Sequence, residues 1–236
     1  MKPIVDLILP CYNPPPDWQA TVFTYFNRLQ ALLTDVELRL TIANDGSEQH
    51  VGAEAQQQLR RYIPTAQIVG YEKNRGKGYA LRHAVGQCTA PYIIYTDYDF
   101  PFELESIKNV ADALLNHADI VVGNRSNSYD KQLPMKRKIM SKVSRCLNKY
   151  LLRIPACDTQ GGLKGFNRKG REIFLQTKIE QFLFDTEFIF KASRHKDLTL
   201  QVVPIQTREG VIFSNMGAKV LLKELKNFLQ ILFRCV

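Results

Sequence analysis

The strongest constraint on this chain is a repeated alternation. Up to residue 125, short apolar runs take turns with longer amphipathic stretches. Ile4 to Leu9, Leu38 to Ala43, Ala66 to Val69, Tyr92 to Thr96 and Ile120 to Gly123 read as strands. Between them, Asp17 to Leu33, Gln49 to Tyr62, Gly76 to Gly86 and Leu104 to Asn116 read as helices. In the first helix Phe23, Phe26, Leu29 and Leu33 recur at helical spacing, with Asp17 as the expected cap. Strands that alternate with helices imply βαβ crossovers, hence an α/β fold with a mainly parallel central sheet flanked by helices. In such sheets ligands bind beyond the carboxyl ends of the strands.

After residue 125 the alternation stops. A basic amphipathic helix is expected over about Pro134 to Arg153, then a helix around Asp185 to Arg194, a strand from Leu198 to Ile205 and a final helix from about Gly217 to Arg234. No repeat, low-complexity tract or linker divides the chain. With 236 residues and 45% apolar content, it reads as one domain, 1–236, with halves at 1–125 and 126–236.

Charge is concentrated. The net charge is +9, and Lys131 to Arg153 contains eight basic residues and no acidic one. The remainder is close to neutral, so a specific anionic partner is implied rather than general solubility. Ile139, Met140, Val143, Leu147, Tyr150, Leu151 and Ile154 form an apolar stripe along the same segment. A core helix with a solvated charged face has this pattern, and so does a helix lying on an anionic membrane surface. Basic groups near such a leaflet contribute roughly 1 kcal/mol each. The segment lacks a nucleic-acid recognition motif and interleaved aromatics, so no nucleic acid is expected as a partner. The five scattered cysteines argue against a zinc site or disulfide framework. No apolar run reaches the ~18 residues a membrane span requires. The start of the chain lacks signal-peptide features, so the expectation is a cytoplasmic protein, peripheral on the cytoplasmic face of the membrane.

Three polar motifs follow strands. Asp97-Tyr98-Asp99 leaves the run Tyr92 to Thr96. Two close carboxylates repel unless a cation stands between them. Mg²⁺ and Mn²⁺ take oxygen ligands, often one or two carboxylates plus substrate phosphates. The pair thus reads either as a holder of a metal diphosphate or as an ordinary turn. In Asn44-Asp45-Gly46-Ser47, the Asp45 carboxylate is placed to accept from a base N–H or to cap a helix. In Asn74-Arg75-Gly76-Lys77-Gly78, the glycines admit close backbone approach, and Arg75 and Lys77 suit phosphate.

In order along the chain, Leu9-Pro10-Cys11-Tyr12-Asn13, Asn44-Asp45-Gly46-Ser47, Asn74 to Gly78, Asp97-Tyr98-Asp99, Gly123-Asn124-Arg125, Asp158 to Phe166, Phe184 to Phe188, Val203-Pro204-Ile205 and Gly217-Ala218-Lys219 resemble the motifs of the family 2 inverting glycosyltransferases of GT-A fold. Within that family the resemblance is to the branch of the dolichyl-phosphate mannose synthases and dolichyl-phosphate β-glucosyltransferases. It implies a GT-A nucleotide-diphospho-sugar transferase fold, with a nucleotide-sugar-binding first half and an acceptor-binding second half. Pro10, Tyr12, Asn13 and Asp45 would line the base and ribose pocket, with Arg75, Lys77 and Asp97 towards the phosphates. Asp97 and Asp99 would hold Mg²⁺ or Mn²⁺. Arg125, Arg137, Gln160 and Lys219 would meet the acceptor. Asp97, Asp99, Arg125 and Asp185 would form the catalytic set.

The implied reaction moves glucose or mannose from a UDP- or GDP-sugar to a polyprenyl phosphate. A lipid phosphate is already anionic and needs no general base. A glycan hydroxyl acceptor, the alternative, needs one, and Asp158 and Asp185 are the candidates. A degenerate nucleotide-sugar-binding module is the non-enzymatic alternative. Asn44 departs from the family's first Asp, and Pro14 from its Glu. Pro101 stands where mannose synthases carry a glutamine, which leans the resemblance towards the glucosyltransferases.

Overall fold

The computed structural model describes residues 2–125, 148, 150, 152, 154, 158–159, 161–210 and 218–234. Among the described residues seven strands form one sheet: β1 (Ile4–Cys11), β2 (Glu37–Asn44), β3 (Gln67–Gly70), β4 (Tyr92–Tyr95), β5 (Ile120–Arg125), β6 (Lys164–Phe166) and β7 (Leu200–Ile205). Among the described residues the helices are α1 (Trp18–Leu32), α2 (Ala53–Tyr62), α3 (Lys77–Gln87), α4 (Leu104–Leu115), α5 (Arg168–Leu175), α6 (Phe184–Ala192) and α7 (Ala218–Arg234).

The sheet order is β3-β2-β1-β4-β6-β5-β7. Every pairing is parallel except those of β6, which runs antiparallel to both β4 and β5. The chain winds outward from β1 to β3, then returns through α3 to place β4 on the other side of β1. That reversal opens a crevice at the carboxyl ends of β1 and β4, where an open α/β sheet receives its ligand. Pro204 is tolerated in β7 because β7 is an edge strand.

β1 and β4 are nearly continuous apolar runs because both of their faces are covered, whereas β2 alternates, with Leu38, Leu40 and Ile42 turned to one core layer. One core layer, with Leu7, Leu40 and Ile94, lies under α1, α2 and α4. The other, with Ile8, Tyr95 and Phe166, lies under α3, α5, α6 and α7. Phe166, Phe174, Phe184 and Phe188 pack there as stacked and edge-on pairs, with ring centroids 5.0–6.1 Å apart.

Several expectations are corrected. Asp17 occupies the N-cap position of α1, but its side chain makes no capping hydrogen bond. α2 begins at Ala53 rather than Gln49. β6 and α5 were not legible as elements. α5 is capped by Asn167, whose side chain accepts from the Lys169 and Gly170 amides. The expected basic helix falls mainly outside the described residues. At its end Tyr150 is 69% exposed, whereas Leu152 and Ile154 are buried in the second core layer. On α7, Phe228 and Ile231 are buried, while Leu229 and Phe233 are exposed. No helix among the described residues is long and apolar enough to cross a membrane.

Candidate functional site

The crevice is built around the exit of β4. Asp97 and Asp99 follow its last residue, and Lys77, the first residue of α3, reaches across so that its Nζ lies 2.5 Å from Asp97 Oδ1. Burial alone would lower the Lys77 ammonium, but Asp97, Asp185 and Asp99 outweigh it and raise its pKa above the ordinary 10.5. Asp99 is exposed at the rim. Partial burial of its carboxyl, and then the Asp97 charge, raise it above 3.8. Gly162 forms the facing wall: a Cβ there would lie 3.0 Å from Asp97 Oδ2 and 3.7 Å from Lys77 Nζ. The missing side chain keeps space open beside the carboxylate.

No cluster of three or more His, Cys, Asp or Glu side chains placed to hold a metal ion occurs among the described residues. Two neighbouring carboxylates with open space beside one of them are nonetheless a fitting donor set for Mg²⁺ or Mn²⁺. These ions commonly complete their shells with substrate phosphate and water.

The glycine-rich loop does something different from cradling phosphate. A Cβ on Gly76 would lie 2.5 Å from both Gln181 Nε2 and Glu180 O, and one on Gly78 would lie 2.6 Å from Phe184 Cβ. The glycines admit protein, namely the strap between α5 and α6. Gly78 and Tyr79 both donate their amides to Glu180 O, at 2.9 and 3.3 Å. Arg75 pairs with Glu180 and lies over the Tyr79 ring, 3.5 Å from its centroid. Arg75 is thus turned towards the strap, and only Lys77 of the two basic residues faces the aspartates.

Asp45 likewise serves the loop. Its carboxylate accepts from Tyr71 Oη (2.6 Å), Asn74 Nδ2 (2.9 Å), Arg75 N (2.8 Å) and Gly76 N (2.9 Å). These bonds take up the acceptor positions expected to meet a base N–H. Asn13, at φ 43, is also a turn residue: its amide donates to Ser47 Oγ and its Oδ1 accepts from Glu48 N. Pro10 is buried, and Tyr12, just after the carboxyl end of β1, is 49% exposed.

Arg125, the last residue of β5, grips Asp158 with two bonds, Nε to Oδ2 and Nη2 to Oδ1, the latter at 2.9 Å. Asn124 Oδ1 accepts from the Asp158 amide. Deeper in, Asp185 lies in the first turn of α6. Its Oδ1 accepts from Tyr95 Oη at 2.5 Å and lies 2.9 Å from Lys164 Nζ. The Lys164 side chain is fully buried and also donates to Gly161 O at 2.5 Å. Burial, then Asp185, hold the Tyr95 phenol well above 10, so it remains a donor. Sequence reasoning assigned no role to Lys164 or Tyr95, and with β6 unrecognised it offered no signal that Lys164 would be buried.

Of the remaining expected residues, Arg137 and Gln160 lie outside the described residues. Lys219 is the second residue of α7, and its side chain is likewise outside them.

The family model for Glycosyl transferase family 2 matches residues 6–174. A dolichyl-phosphate beta-glucosyltransferase of Dictyostelium discoideum is 25% identical over 205 residues, 80% of this chain and 62% of that protein. The dolichyl-phosphate beta-glucosyltransferase of Saccharomyces cerevisiae is 24% identical over 193 residues, 72% and 57% of the two chains. This chain therefore spans about three-fifths of each of these relatives. Mannosyl-3-phosphoglycerate synthase from Rubrobacter xylanophilus superposes with TM-score 0.71 at 14% identity, over 98% of this chain and 74% of that one. Glucosyl-3-phosphoglycerate synthase from Mycobacterium tuberculosis, in complex with Mn²⁺, UDP and phosphoglyceric acid, gives 0.64 at 14% identity, over 97% and 78%. These likenesses establish the GT-A fold.

Proposed function

The chain belongs to glycosyl transferase family 2, and from that premise we propose that it transfers a hexosyl group from a UDP- or GDP-sugar to a polyprenyl phosphate, with inversion at the anomeric carbon. The observation that carries the acceptor class is the state of the two candidate bases. Both Asp158 oxygens are engaged by Arg125, and Asp185 is matched by Lys164 and Tyr95. A general base must reach the proton it removes. An acceptor that arrives as a phosphate anion needs no such group. The two dolichyl-phosphate relatives support the same class. Pro101 in place of the glutamine supports glucose over mannose.

Asp97 and Asp99 would hold Mg²⁺ or Mn²⁺, which when bound supplies positive charge to a departing diphosphate. Solved neighbours that contain Mn²⁺ or Mg²⁺ together with UDP support that cofactor. Lys77 neutralises Asp97 and stands where leaving-group charge develops. Gly162 keeps room for the donor beside Asp97. Asp158 orients the Arg125 guanidinium for an acceptor phosphate. The basic segment 131–153 supports docking at the cytoplasmic face of an anionic membrane.

The test is a screen of UDP- and GDP-hexoses against a short polyprenyl phosphate and a soluble glycan, each with and without Mn²⁺. The reading requires metal-dependent transfer to the phosphate. Transfer only to the glycan would replace the acceptor class. Tight UDP binding without transfer to either would point to a binding module.

A further inference from the structure

The turn that carries Asp99 is held in an unfavourable shape by a residue 109 positions further along the chain. Phe100 is fully buried at φ 48, a left-handed backbone that bulky residues avoid. Such strain persists only where the surroundings over-determine it. Here they do so through Arg208. Its Nη2 donates to Asp99 O at 2.9 Å, its Nε to Phe100 O at 2.6 Å and its Nη1 to Tyr25 Oη. The guanidinium also lies over the Tyr25 ring, 4.4 Å from the centroid, and Tyr25 stacks on Phe100 at 5.3 Å. The neighbouring backbone joins in: Arg208 N donates to Pro101 O, Glu103 N donates to Gln206 O, and Phe102 bridges Thr207.

We propose that Arg208 is a positioning residue for the metal site, a clamp that fixes the Asp99–Phe100 turn so that the Asp99 carboxylate meets the cation beside Asp97. It acts through main-chain carbonyls. A planar fork suits that task, because one rigid group serves three acceptors in different directions. The inference rests on the metal–diphosphate reading of Asp97 and Asp99, so its test needs a readout independent of turnover.

Hydrogen–deuterium exchange on the full-length, metal-free protein supplies it. In Arg208→Met, the peptide covering 97–103 exchanges faster than in wild type while the central strands are unchanged. In parallel, Mn²⁺ binding in the presence of UDP, followed by electron paramagnetic resonance, weakens about tenfold or more. That is the scale, roughly 10–100-fold, by which losing the support behind a metal ligand lowers metal affinity. Arg208→Lys keeps the charge but not the fork, and fails to restore either property. Tyr25→Phe, which removes one of the three acceptors, loosens the turn less than Arg208→Met.

Unchanged exchange at 97–103 in Arg208→Met overturns the clamp. So does full rescue by Arg208→Lys, faster exchange spread over the whole sheet, or weakened metal-free UDP binding with an intact turn. Asp99→Ala separates the two layers. If it leaves Mn²⁺ binding intact, the metal reading fails, while the exchange data still judge the clamp.

Discussion

Lys77 Nζ lies 2.5 Å from Asp97 Oδ1, so the first residue of α3 is tied to the second residue after β4. The ammonium is partly buried and its pKa is raised above 10.5, which keeps it charged at neutral pH. Lys77→Met removes that charge from the place where a leaving diphosphate would develop its own. We expect kcat to fall roughly 10²–10³-fold, the scale for losing one preorganised donor. Donor KM should change less. Steady-state kinetics check this, and an effect confined to KM would reduce Lys77 to a binding contact.

The buried pair of Lys164 and Asp185 gives a stability prediction. Lys164→Met leaves Asp185 without its cation in a site where its side chain is only 6% exposed. Breaking a buried pair from one side costs about 3–5 kcal/mol. The double variant Lys164→Met/Asp185→Asn removes both charges and recovers much of that loss. Urea unfolding of the two singles and the double measures the coupling. Additive losses would show that the two residues act separately.

Much of the fold was legible because its periodicity is strong. β1 and β4 are apolar on both faces, β2 alternates with Leu38, Leu40 and Ile42 on its core side, and α1 and α4 carry apolar stripes that match the first core layer. β6 was hidden because it has only three residues and its first, Lys164, is a buried cation rather than an apolar residue. α5 was hidden by Arg168, Lys169 and Gly170 at its start, although Asn167 was a readable cap. At the site, the sequence showed the aspartates and glycines but not what faces them. The glycines of 76–78 looked open to ligand, yet the strap at 179–181 fills that space from a hundred residues away. Arg208 follows an edge strand and matches no local pattern, so only tertiary contact reveals it.

Asp158 distinguishes an orienting carboxylate from a base. If it holds Arg125, Asp158→Asn loosens the guanidinium and raises acceptor KM about tenfold, the scale for weakening a charge-assisted contact. The pH profile of kcat keeps its shape. Measuring kcat and KM from pH 5 to 9 checks this. Disappearance of an acidic limb in the variant would make Asp158 the base and favour a hydroxyl acceptor.

Asp119 predicts an acid sensitivity. Burial alone would raise its carboxyl, but bonds from Thr199 N and Asn167 Nδ2, with Lys169 nearby, bring it below 3.8. A carboxyl lowered in the folded state stabilises the protein above its unfolded pKa. That contribution fades as pH falls below 3.8 through the folded value. Wild type should therefore exceed Asp119→Ala in stability at pH 7, with the gap narrowing from about pH 4 downward. Thermal melts at pH 7, 5 and 3.5 test the trend, and a gap that widens in acid would contradict it.

The central claim is tested most directly by Mn²⁺-dependent sugar transfer in wild type and Asp99→Ala, with folding of both checked by circular dichroism. The account predicts that wild type transfers a hexose from its UDP- or GDP-sugar to polyprenyl phosphate only when Mn²⁺ or Mg²⁺ is supplied. It predicts that the folded variant does not. Equal turnover in the two proteins, or wild-type transfer indifferent to chelation, would contradict it.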